Sequence, residues 1–177
     1  YALARKMFGK TTAFFSSLIL VSSIEYFFIS RILILDMPLT LFMTLCFMCF
    51  YFYLFSEKNN KCWLFVFYLS LGLGVLTKGP VALVLVVATV FLFLFLTGRT
   101  KVLLGKVHLY GILLFAFITL PWFIAVHLKE PSFTKFFFIH EHIVRFLTKT
   151  HKRNEPFYYF FVILLVGFIP WAVYLVK

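Results

Sequence analysis

"DMPLTLFMTLCFMCFYFYLF", residues 36–55, carries one charge, on its first residue, and none on the nineteen that follow. An α-helix needs about 20 predominantly apolar residues to cross a hydrocarbon core about 30 Å thick. The run does not alternate apolar and polar residues, as a barrel strand would. A helix also satisfies its own backbone N–H and C=O groups, which lipid cannot do for an open strand. The segment therefore reads as a membrane-spanning helix. Its opening, Asp36 followed by Met37 and Pro38, has the form of a helix start with Asp36 as the N-cap.

The rest of the chain repeats this character. Apolar stretches of similar kind cover 11–30, 62–76, 80–97, 108–126 and 157–176. The 177 residues are 63% hydrophobic and 13% charged, with a mean hydropathy of +1.03. Soluble domains carry about 25% charged residues, so this chain could not cover a surface facing water. The expected fold is all-α: a polytopic membrane helical bundle with about six transmembrane helices. "LTKGPVAL" marks another helix start, through Thr77, Gly79 and Pro80, while "SEKNNK" and "TGRTKVLLGK" are polar turns. Cys46 and Cys49 form a CxxC, but inside an apolar span with no second ligand pair they read as small packing residues. The chain starts at Tyr1 and stops at Lys177 as an apolar run finishes, so both ends look cut. The expectation is that 1–177 is an internal piece of a longer membrane protein.

The net charge is +11. The basic residues are scattered between apolar spans, so anionic lipid head groups, and not nucleic acid, are the expected partner. Counting spans assigns Arg5, Lys6, Lys10, Lys58, Lys61, Arg99, Lys101, Lys106 and Lys177 to one face of the membrane. Arg31, Asp36, Lys78 and the segment 127–156 fall on the other. Positive charge in short loops favours the cytoplasm, which makes the first face cytoplasmic and the second the outer face.

The outer segment 127–156 breaks that rule with Lys129, Lys135, Arg145, Lys149, Lys152 and Arg153. Either it is a solvated loop near lipid phosphates or it binds an anion. Lys78 has two readings: a cation facing an anion at the helix start near Pro80, or an interfacial side chain snorkelling to the head groups. Asp36 is a plain N-cap or an acid in an outer cavity. Glu25 could pair with Arg31. Wound as a helix, "FTKFFFIHEHIVRFLTK" (133–149) is amphipathic, with Glu141, His142, Arg145 and Lys149 on one face and Phe133, Phe136, Phe137 and Ile143 on the other. His140 projects from the apolar face, either hydrogen-bonded in the interior or bound to a metal or substrate.

"TKGP", "LPW", "FFFIHEHIVRF", "HKRNEPFYYF" and "FIPW" occur in this order, after "LDMPLTLF". Together they resemble the aminoarabinose transferase branch of the protein O-mannosyltransferase-like membrane glycosyltransferases. The resemblance implies a GT-C fold in a bacterial inner membrane, with the active face periplasmic. It implies a polyprenyl-phosphate sugar donor and a lipid A phosphate or another envelope lipid or glycan as acceptor. It implies donor-phosphate contacts from Lys78 and Arg145, and an acidic role in the active-site cavity for Asp36. It further implies a metal, zinc or another divalent ion, at His140, with Glu141 and His142 as neighbouring loop contacts. The family's first outer loop, with its acidic base, would lie upstream of Tyr1, and a C-terminal domain would lie beyond Lys177, so this piece alone is expected to be inactive. The competing class is a transporter or flippase of lipid-linked intermediates, which would also carry cations for phosphates.

Overall fold

The structure is a computed structural model that describes residues 1–56, 61–135, 137, 156 and 158–175. Every regular element among the described residues is helical. In chain order these are α1 (Ala2–Phe8), α2 (Lys10–Ser22), α3 (Ile24–Ile29), α4 (Asp36–Phe55), α5 (Lys61–Lys78) and α6 (Pro80–Leu96). A 3-10 turn (Thr100–Leu104) follows, then α7 (Lys106–Lys129), α8 (Pro131–Lys135), α9 (Tyr159–Gly167) and a second 3-10 turn (Trp171–Leu175). The chain divides into two compact units, one of residues 1–37 with 152–177, the other of residues 38–151.

The second unit is built on α4, α5, α6 and α7. Of these, α4, α5 and α7 are long and apolar enough to cross a membrane, and α6 is a shorter apolar helix. Cys46, Cys49 and Phe50 of α4, Leu64, Phe67 and Leu71 of α5, and Val86, Val90 and Leu94 of α6 form its buried centre. Both cysteines of the CxxC are therefore packing residues, and the Cys46 thiol points at the Phe67 carbonyl, 3.6 Å away.

Helices in lipid gain little from the hydrophobic effect and associate through close packing instead, which favours small residues at their contacts. α5 shows this. A Cβ on Gly72 would lie 3.1 Å from Ile118 of α7, and one on Gly74 would lie 3.3 Å from Ala82 of α6. On α7, Gly111 leaves the space that the Tyr68 ring fills. The outward faces stay apolar: Phe95, Leu96, Phe117 and Leu128 are each more than half exposed, as lipid-facing positions should be. Thr44, Thr77, Thr89 and Thr119 each donate to the carbonyl four residues back, at 2.7–2.9 Å, so their hydroxyls need no water.

The first unit corrects two expected spans. Residues 11–30 do not form one helix, because α2 stops at Ser22 and Ser23 adopts an extended conformation (φ −68, ψ 133). Ser23 donates to the Ile19 carbonyl at 2.7 Å, one way serine competes with helical bonding. The break leaves the Ile24 N–H for another partner, and the Ile169 carbonyl takes it at 3.1 Å. Residues 157–176 are likewise interrupted. α9 ends at Gly167, and a turn through Pro170, which has no N–H to donate, leads to the second 3-10 turn. Trp171 closes this unit by donating its indole N–H to Ser22 Oγ at 2.8 Å.

Candidate functional site

The "TKGP" motif is a corner between two helices. α5 ends at Lys78 and α6 begins at Pro80, so Gly79 alone makes the turn. Its φ of 76 and ψ of −155 fall in a region that is essentially restricted to glycine. The Gly79 N–H still bonds the Val75 carbonyl, at 2.7 Å. Pro80, at the first position of α6, gives up an N–H that would have had no helical partner there.

This geometry revises the sequence reading of Lys78. The residue belongs to the last turn of α5, where a cation complements that helix's dipole, and is not the first residue of α6. The residue is exposed. Its backbone is held between the end of α5 and the Gly79–Pro80 turn.

Beneath the corner, Leu39 of α4, Val75 of α5 and Ala82 of α6 form a second buried cluster, against which Phe123 of α7 packs. Phe123 meets the Phe137 ring at 6.0 Å, Trp122 meets Phe133 edge-on at 6.0 Å, and Phe133 stacks on Phe137 at 5.2 Å. These separations are those of favourable aromatic pairs. α8 and the start of the following segment are thus held by rings at the Lys78 end of the second unit. The amphipathic winding put Phe133 and Phe137 on an apolar face; here their rings meet Trp122 and Phe123 of α7.

Asp36 is the first residue of α4, half-buried, two positions ahead of the second unit. It lies in the first turn of the helix, favourable for an acid, and not ahead of it as the cap. His140, Glu141, His142 and Arg145 lie outside the described residues. No group of three or more His, Cys, Asp or Glu that could hold a metal ion occurs among the described residues.

Glu25 does not form the expected pair with Arg31. Arg31 lies over the Phe27 ring at 4.4 Å. Glu25 packs against Gly167, where no Cβ could fit, beside a groove of about 370 Å³ lined otherwise by Ile24, Val162, Ile163 and Val166. Sequence reasoning also missed a buried polar pair at the opposite end of the second unit. The Tyr68 hydroxyl and His108 Nδ1 are 3.0 Å apart, and Tyr53 sits edge-on to the imidazole. The available signal was a histidine near the start of an apolar span with a glycine three residues on.

Residues 1–124 match the family described as dolichyl-phosphate-mannose-protein mannosyltransferase. The chain belongs to this family. Among curated relatives, it is 32% identical over 167 residues to the undecaprenyl phosphate-alpha-4-amino-4-deoxy-L-arabinose arabinosyl transferase of Yersinia enterocolitica, covering 92% of this chain and 30% of that one. It is 34% identical over 176 residues to transferase 2 of the same description from Proteus mirabilis, covering 97% of this chain and 31% of that one. The fold superposes on the crystal structure of ArnT from Cupriavidus metallidurans in the apo state with a TM-score of 0.86 and 27% identity, over 99% of this chain and 32% of that one. The chain therefore spans about a third of the length of these relatives. The match to the mannosyltransferase family covers "TKGP", and the membrane helical bundle is that of its aminoarabinose transferase-like branch.

Proposed function

We propose that this chain forms part of a membrane glycosyltransferase that moves 4-amino-4-deoxy-L-arabinose from undecaprenyl phosphate to lipid A, at the periplasmic face of a bacterial inner membrane. One observation carries the reading. Lys78 stands on a glycine–proline corner, and the aromatic root of the segment leading to His140 and Arg145 is packed at the same end of the second unit. The donor sugar follows from the names of the relatives, and the lipid A acceptor from the resemblance to the aminoarabinose branch.

In the reaction, an acceptor phosphate oxygen attacks the anomeric carbon of the donor sugar. The bond from that carbon to the undecaprenyl phosphate oxygen breaks, and the phosphate leaves with the electron pair. Negative charge grows on the leaving phosphate, and preorganised cations aimed at it lower the barrier. Lys78 and Arg145 supply those cations. The rigid corner matters because a side chain already in place needs no reorganisation during the reaction. Asp36 orients the sugar or its acceptor, and its carboxylate can pair with the sugar amine. A divalent metal at His140 would fix the outer segment, and no step is assigned to it.

The test uses the full-length enzyme with purified donor and lipid A. Lys78→Ala and Arg145→Ala are each expected to lower the transfer rate by about 100-fold or more, the scale of losing one donor to a developing oxyanion. Wild-type rates in both variants would overturn the assignment. The transport alternative predicts that both variants lose lipid movement while no sugar-transfer product forms even in the wild type.

A further inference from the structure

The end of the second unit opposite Lys78 carries its own concentration of charge. Arg99 and Lys101 lie in the connection from α6 to α7, and Lys106 opens α7. Residues 58–129, which hold the whole of α5, α6 and α7, contain no aspartate or glutamate. The acid nearest in sequence, Glu57, lies outside the described residues. Three cations thus lie on or beside one short connection without an acid in any of the three helices around it.

The connection also exposes apolar side chains. Gly98, at φ 67, turns the chain out of α6, and the 3-10 turn Thr100–Leu104 follows. Leu104 is 84% exposed and Leu103 is 39% exposed. In a 3-10 helix residues three apart lie above one another, so Lys101 and Leu104 share an edge. Arg99 is drawn over the Phe55 ring at the end of α4, 4.8 Å from its centre. Phe52 of α4 packs on Trp63 of α5 at 4.8 Å just inside that end. The surface therefore combines cations, an exposed leucine and an aromatic layer, between helices that span a membrane. That is the composition of a segment lying at the head-group boundary.

We infer that residues 99–106 form a binding surface for the head groups of anionic phospholipids. Leu104 enters the acyl boundary, and Arg99, Lys101 and Lys106 take the phosphates. The stem of each lysine lies along apolar surface while its ammonium reaches the head groups. The surface is remote from Lys78 and does not depend on the reaction proposed for that end.

The test is native mass spectrometry of the full-length protein released from nanodiscs of mixed phosphatidylglycerol and phosphatidylcholine. The wild type should retain phosphatidylglycerol in preference to phosphatidylcholine. The R99Q/K101Q/K106Q variant should lose at least about fivefold of that preference, since each basic residue near an anionic surface contributes appreciably. The charge-conserving R99K/K101R/K106R variant should keep it, which separates lost charge from lost folding. Undiminished preference in the glutamine variant would overturn the proposal, as would equal loss in the charge-conserving one.

Discussion

The two ends of the second unit are both basic, yet they are built in opposite ways. At one end a single lysine, Lys78, ends α5 at a corner only glycine can turn, over the packed Leu39–Val75–Ala82 cluster. At the other end Arg99, Lys101 and Lys106 lie on and beside an exposed turn whose Leu104 is 84% exposed. One end fixes a charge at a packed corner, and the other gathers charges at an exposed turn. Chemistry at a reacting phosphate needs the former, because misplacement by about 1 Å can cost about 100-fold in rate. Holding fluid head groups needs only the latter, because those interactions are individually weak and tolerate movement.

That contrast can be broken by substitution. Among substitutions that leave both cations, Lys78 and Arg145, in place, the largest effect is expected from Gly79→Val. A β-branched residue in that conformation is strained by about 1–3 kcal/mol, and relief of the strain would move Lys78. Thermal unfolding should show a less stable protein, and transfer should fall at least tenfold, by about as much as misplacing a catalytic group implies. Gly111→Val, at the cation-rich end, forces Tyr68 out of its place, and overpacking of this kind costs about 1–3 kcal/mol. It should lower stability comparably while leaving the transfer rate per folded molecule near wild type. Equal loss of activity in both variants would erase the distinction between the ends.

A smaller effect is expected from Phe133→Ala, which removes the rings' grip between α8 and α7. Aromatic pairs contribute about 0.5–1.5 kcal/mol beyond their buried area. Transfer should fall a few-fold, with the loss appearing mainly in KM for the donor because the outer segment is less well held. The smallest effect on transfer belongs to R99Q/K101Q/K106Q, expected to change the rate by less than about twofold at saturating donor, since the charges lie beyond the screening distance from the Lys78 end.

The sequence carried the fold class because bilayer-length apolar runs need no knowledge of packing. The run at 37–55 is almost coextensive with α4. Boundaries inside polar-poor stretches were less legible. The halt at Ser23 depends on a carbonyl from Ile169, nearly 150 residues away, which no local pattern contains. Lys78 was legible as a candidate, but the side of the corner it occupies was not, since that depends on Gly79 taking a positive φ. Helical winding put Phe133 and Phe137 on an apolar face, but that their rings would pack on Trp122 and Phe123 of α7 was not legible, because no local pattern names the partner. Tyr68 and His108 were missed because they meet across two helices 40 residues apart in sequence.

The central claim is that Lys78 and Arg145 act on the same leaving phosphate. A double-mutant cycle on kcat/KM, using Lys78→Ala, Arg145→Ala and the double variant of the full-length enzyme, tests it most directly. Two cations on one phosphate form a coupled network, so the double variant should lose less than the product of the single losses, by at least about threefold. A double loss equal to that product, as for independent sites, would contradict the shared clamp.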